Sequence, residues 1–174
     1  HCLSRGLGDV YKRQQIIITL GGVSKGNYDL IRKHYRKLGI KILVDGIPIK
    51  PGKPLIIGKL DNKIIFCLPG NPISSIVCSK LFIVALIKKM LGEKLERIIT
   101  RKALLSEDIE IPTSQREHYM RAFTYQEAAT QYVKPFSQQD SSLHSVLIKS
   151  NCLLIIPPGS SSNFKDQIVD IIDF

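Results

Sequence analysis

The chain has 174 residues, of which 44% are hydrophobic and 23% charged, with a formal net charge of +10. That length and apolar content suffice for one large or two small domains with filled cores. The longest strongly apolar segment, residues 81–91, is interrupted by Lys88 and Lys89 and is too short to span a bilayer, so transmembrane and secreted readings fail.

Cys2, Cys67, Cys78 and Cys152 are scattered without a paired spacing. They indicate neither a zinc site nor a disulfide framework, and the expected compartment is a reducing cytoplasm. Charge is uneven: residues 1–102 hold 20 Lys and Arg against 6 Asp and Glu, whereas residues 103–174 hold 5 against 9. The basic residues are not interleaved with aromatics, and no helix-turn-helix, RRM or zinc-finger pattern appears, which argues against a nucleic-acid face. Several sit in the last turns of predicted helices, where cations meet the dipole favourably: Arg36 and Lys37, then Lys88 and Lys89. A solvated basic surface and an anionic small-molecule ligand are the readings that remain.

Residues 1–15 show neither helical period nor alternation and lack a signal-peptide core, so they read as foreign to the fold, with a divergent surface loop as the alternative. The run Ile16-Ile17-Ile18-Thr19-Leu20 reads as a buried strand. Gly21-Gly22-Val23-Ser24-Lys25-Gly26-Asn27-Tyr28-Asp29 follows as a glycine loop opening a helix over 28–38, stopped by Gly39. Strand, glycine loop and helix N-terminus together form an anion site. A strand over 40–44 comes next, then Ile49-Lys50-Pro51-Gly52-Lys53-Pro54, two lysines on a stiff frame. Residues 55–58 and 63–68 flank Asp61-Asn62 as a hairpin, and Leu68-Pro69-Gly70-Asn71-Pro72-Ile73-Ser74 opens a long helix over 72–91, capped by Asn71 and ended by Gly92. Its faces are apolar nearly all round, as in a buried helix or one that packs on a partner. Alternating helices and strands predict a three-layer α/β unit with a largely parallel sheet.

From about residue 97 the helical period stops. Strands are predicted over 98–103, 118–125, 132–135, 152–156 and 167–172, with one short helix over 142–149. The expected division is a leader over 1–15, an α/β domain over 16–96 and a β domain over 97–174.

The motifs GGVSKGNYD, IKPGKP and LPGNPISS, in this order and at these separations, resemble the molybdopterin molybdenumtransferases, the bacterial enzymes related to the E-domain of gephyrin. The resemblance runs from Ile16 to about Phe174. Such enzymes are more than twice as long and carry further domains ahead of this part, so the resemblance implies a C-terminal part of the enzyme. The implied fold is a three-layer molybdopterin-binding α/β domain, truncated at its N-terminus, followed by a small all-β, barrel-like C-terminal domain. In the latter, the family segment resembling QxSxxLxSxxxxN corresponds to residues 139–151, with Asp140 and Ser150 where glycine and alanine are more usual. Lys25 and Asn27 also depart from the family, which usually has a small apolar residue and an acid there.

The resemblance implies insertion of molybdate into adenylylated molybdopterin, giving molybdenum cofactor and AMP with the help of Mg²⁺. Implied catalytic residues are Asp29, Lys50 and Lys53, with Asp29 also the metal ligand. Implied substrate-binding residues are Gly21, Gly22, Ser24 and Gly26 in the first loop; Pro51 and Gly52 in the second; Pro69, Gly70, Asn71, Pro72 and Ser74 in the third; and Ser142 in the β domain. Implied partners are adenylylated molybdopterin, molybdate, a second copy in a homodimer and the adenylyltransferase of the same pathway, with no nucleic acid and no membrane; the isolated chain is expected to be inactive. The alternatives are a molybdopterin adenylyltransferase, which ends after the α/β unit and lacks IKPGKP followed by PGNP, and a non-catalytic molybdopterin-binding or oligomerisation fragment. His34, His118 and His144 share no spacing and are expected to be surface or interface residues.

Overall fold

The computed structural model describes residues 13–22, 28–94, 98–137, 139, 144–160 and 162–174. Packing divides the chain into two compact units, one containing Pro54–Gly70 and the chain up to Ile47, the other Pro48–Lys53 and Asn71–Phe174.

In the first unit, strands β1 (Ile16–Leu20), β2 (Lys41–Asp45), β4 (Ile56–Leu60) and β5 (Lys63–Leu68) form a sheet in the order β1-β5-β4-β2. The expected hairpin is present: β4 and β5 pair antiparallel around Asp61-Asn62, with Asp61 at φ 51°. The expectation of a largely parallel sheet is corrected, because only β1 and β5 run parallel while β2 pairs antiparallel with β4. The two-residue turn at Asp61-Asn62 imposes the antiparallel pairing of β4 and β5. Gln14 and Gln15 accept hydrogen bonds from Lys63 Nζ and Ile64 N at 2.6 and 2.8 Å, so the last two leader residues engage the β5 strand. Helix α1 (Tyr28–Lys37) lays Ile31 and Tyr35 against Ile17, Ile42, Ile56, Ile65 and Cys67, at the helical and strand periods that place one face of each inward. Arg32 on α1 pairs with Asp45 on β2.

The second unit holds a closed five-stranded barrel. Strands β6 (Arg101–Leu105), β8 (Glu117–Glu127), β9 (Thr130–Pro135), β10 (Cys152–Ile156) and β12 (Ile168–Asp173) pair in the cycle β8-β9-β6-β12-β10-β8. Closure removes the exposed strand edges that would otherwise invite pairing. Alternate residues point inward, so Ala103 and Leu105, Met120 and Ala122, Cys152, Leu154 and Ile156, and Val169 and Ile171 fill the core with Val133. Short β7 (Ile109–Glu110) pairs with β11 (Ser162–Asn163), and helix α4 covers His144–Lys149.

The long helix predicted over 72–91 is one helical run with a defect in it. Helix α2 (Pro72–Cys78) passes through a π-helical turn (Ser79–Ile83) into α3 (Val84–Met90). Such a turn inserts one residue into the ladder and rotates everything after it. Ile73, Val77, Cys78, Leu81 and Ile83 are buried before and within the turn, whereas α3 buries none and exposes Val84, Ile87 and Met90. Of the two expected alternatives, burial therefore holds for the first half of the helix.

Candidate functional site

The first and third loops meet in the first unit. Gly21 and Gly70 approach backbone to backbone: a Cβ on Gly70 would stand 3.4 Å from Gly21 Cα. Gly21 N donates to Leu68 O at 3.0 Å, and the buried Cys67 thiol donates to Gly21 O at 3.5 Å. Gly21 sits at φ 82°, the left-handed region a side chain would resist. Gly22 is exposed and Pro69 buried. Ser24 and Gly26 lie outside the described residues, as does the side chain of Asp29, whose backbone is in the first turn of α1.

The second loop belongs to the barrel unit. Its residues Ile49–Lys50 form strand β3, which pairs parallel with β8 through Ile49 to Glu117 and Lys50 to His118. Gly52, at φ 120°, is packed so closely that a Cβ would lie 2.7 Å from Cys78 Sγ and 2.9 Å from Ile49 Cδ1. The Cys78 thiol, pushed up to about 12 by burial, donates to Gly52 O at 3.7 Å, fixing the lysine loop on α2. Pro51 is half-buried while Lys50 and Lys53 are exposed.

The third loop ends on the cap that was predicted. Asn71 Oδ1 accepts from Ser74 N at 3.1 Å, and Pro72 occupies the first helical turn. Ser74 Oγ lies 3.4 Å from the same Asn71 Oδ1 and Ser75 Oγ donates to Asn71 O at 3.2 Å, so both hydroxyls serve the helix start. Ser142 lies outside the described residues.

Lys50 opens onto a cavity of about 420 Å³ at one end of the barrel. Met120, Pro135 and Ile156 line it with Lys50, Arg116 and His118, and Glu107, Asp108 and Glu110 line it as well. Gln139 also lines it, donating from Nε2 to Arg121 O and Phe136 O at 2.9 and 2.7 Å and accepting from Arg121 N at 3.0 Å. Thus the first residue of the family segment 139–151 braces β8 beside the cavity. His118 is half-buried and lines this cavity. Burial, reinforced by Lys50, Arg116 and Arg121, pulls its imidazole down to about 4. The pairing of a two-residue strand with β8 leaves no periodic signal, which is why sequence reasoning missed His118 and Arg116. Among the described residues, no group of three or more His, Cys, Asp or Glu could hold a metal ion. Cys67, Cys78 and Cys152 are free thiols, all three buried.

Two family models match the chain in succession, the Probable molybdopterin binding domain over residues 6–89 and the MoeA C-terminal region (domain IV) over residues 102–174. The chain belongs to the molybdopterin molybdenumtransferase family. Curated members include the molybdopterin molybdenumtransferases of Bacillus subtilis, 26% identical over 164 residues, and Haemophilus influenzae, 33% identical over 160 residues. These alignments cover 94% and 91% of the chain but only 38% and 39% of the relatives, so it spans about two fifths of their length. Among solved structures, the molybdopterin biosynthesis MoeA protein of a Pyrococcus species superposes with a TM-score of 0.71 over 97% of the chain and 39% of the other, at 24% identity. A molybdenum cofactor biosynthesis protein from Pyrococcus furiosus gives 0.63 over 92% of the chain and 68% of the other, at 19% identity. Both likenesses are of fold.

Proposed function

We propose that the chain acts as the C-terminal part of a molybdopterin molybdotransferase, which inserts molybdate into adenylylated molybdopterin and releases molybdenum cofactor and AMP. The observation that carries this reading is the built lysine loop: β3 and the Gly52–Cys78 contact hold Lys50 at a cavity that the domain IV match provides. A bare adenylyltransferase would have no use for that coupling.

In this reading Lys50 and Lys53 neutralise anionic groups of the substrates, and the prolines limit the entropy lost on binding. Gly21, Gly22, Ser24 and Gly26 bring backbone N–H groups and a hydroxyl to the pterin phosphate near the N-terminus of α1. Pro69, Gly70, Asn71, Pro72 and Ser74 complete the wall, with Ser142 contributing from the β domain. Mg²⁺, assigned to Asp29, supplies charge for release of the adenylyl group. The enzyme works as a cytoplasmic homodimer fed by the adenylyltransferase. No helix among the described residues is long and apolar enough to cross a membrane.

The reading is tested with a full-length version of the protein, adenylylated molybdopterin, molybdate and Mg²⁺. Molybdenum cofactor and AMP should appear in equal amounts, and the 174-residue chain alone should form neither. Absence of AMP release from the full-length version would refute it, and ATP-dependent attachment of AMP to molybdopterin would favour the adenylyltransferase instead.

A further inference from the structure

The π-helical turn between α2 and α3 contributes Lys80, Leu81 and Phe82 to another cavity, an open groove of about 490 Å³. Ala85 and Leu86 of α3 line it next, and Ile98, Ile99 and Ile172 line it from the approach to β6 and from β12. All of these residues belong to the second unit. Ile172 alternates on β12 with the core residue Ile171, so it points out of the barrel, yet it is buried. Ile99 is 63% exposed, and Val84 of the same lining is also open to solvent. Turns of the π type recur at functional sites. Here the turn leads into a helix that buries no side chain and lends its apolar residues to the groove instead.

Charge around the groove is one-sided. Lys80, Lys88, Lys89 and Arg101 line it against a single carboxylate, Asp173. Arg101 already holds Asp173, its Nε donating to Oδ2 at 2.6 Å, and Lys88 lies 3.7 Å from Glu93. Lys80 and Lys89 form no ion pair with any described residue. A small inorganic anion would leave the apolar walls wet, and a purely apolar partner would leave these lysines unmatched. Strand β12 is hydrogen-bonded on both sides, to β10 and to β6, so no further strand can be added beside Ile172. The recognition mode that remains is a helix laid into the groove.

We propose that this groove docks an acidic amphipathic helix of a partner protein, whose apolar side chains at helical spacing cover Phe82, Ala85, Leu86 and Ile99 while its carboxylates meet Lys80 and Lys89. The groove shares no lining residue with the cavity at Lys50, and the proposal does not depend on the activity above. Apolar burial supplies the attraction, and the lysines supply orientation, partner choice and a faster encounter. Their share falls as salt rises, because solvent-accessible charges are screened. A second copy of the chain is a poor occupant, since a two-fold pairing of this face would set lysines against lysines.

The test uses the intact chain and two fluorescently labelled peptides of about 15 residues, each with leucine at positions i, i+3, i+4 and i+7 of a helical face. One carries glutamate at the remaining positions and the other lysine. By fluorescence anisotropy the glutamate peptide should bind at least about tenfold more tightly than the lysine peptide, and the preference should shrink as salt is added. Amide shifts in ¹⁵N NMR spectra should fall at Ala85, Ile99 and Ile172. Lys80→Glu combined with Lys89→Glu should abolish or reverse the preference; should that variant not fold, Lys89→Glu alone, at an exposed position, should reduce it. Equal affinity for the two peptides, no binding of the glutamate peptide, or shifts confined to other parts of the chain would overturn the proposal. So would a dimer in sedimentation that Ile99→Asp dissolves, because the groove would then serve a second copy.

Discussion

Lys50 and His118 are register partners on parallel strands, which joins a proline-framed lysine loop to the open end of the barrel. The pairing puts a cation beside a ring that burial already keeps neutral, and the low His118 pKa follows from both.

That pKa has a consequence for stability. With a folded value of about 4 against 6.5 in the unfolded chain, folding favours the neutral ring. The stabilisation is fully present above about pH 6.5 and is lost as pH falls toward 4. Because the ring is partly exposed to screening solvent, the loss is of order 1–2 kcal/mol. Urea unfolding of the chain and of His118→Gln across this range should show a shallower acidic decline in the variant; parallel curves would contradict the assignment.

The barrel core should respond in the ordinary way to loss of volume. Leu154 is fully buried in it, so Leu154→Ala should cost about 2–5 kcal/mol. Ile168 on β12 is 65% exposed, and Ile168→Ala should fall within about 0.5 kcal/mol of wild type. Equal effects in denaturant titrations would mean that the inward and outward rows are misassigned.

Much of this was legible in the sequence because it is local. Short runs between turn-rich segments marked the barrel strands, with 152–156 matching β10 residue for residue, and Asn71-Pro72 announced the cap that Ser74 N uses. What stayed hidden depends on long-range pairing. The antiparallel partner of β2, the attachment of Ile49–Lys50 to β8 and the π turn after Cys78 each arise from how distant segments fit, and none alters the local apolar period.

Gly52 and Asn71 test the two supports of the loops. Gly52→Ala places a methyl within 2.7 Å of Cys78 Sγ at a φ of 120°, so the lysine loop should shift or the fold should weaken by at least about 1 kcal/mol. Asn71→Ala removes the acceptor of Ser74 N and should cost about 1 kcal/mol. Thermal melts check both, and an unchanged melting temperature in Gly52→Ala would contradict the packing around that loop.

Asp29 separates chemistry from helix stability. In a full-length version, Asp29→Asn should abolish Mg²⁺-dependent turnover while changing stability by no more than about 0.3–1 kcal/mol, the usual scale for a first-turn carboxylate. Turnover at the wild-type rate would reduce Asp29 to a helix-terminus residue.

The central claim, that the lysine loop is part of a molybdopterin site, is tested most directly by isothermal calorimetry of molybdopterin with the chain and with its Lys50→Ala, Lys53→Ala double variant. Loss of two charge-assisted contacts should weaken binding by at least about tenfold, while circular dichroism reports an unchanged fold. Equal affinity in the two proteins would contradict the account.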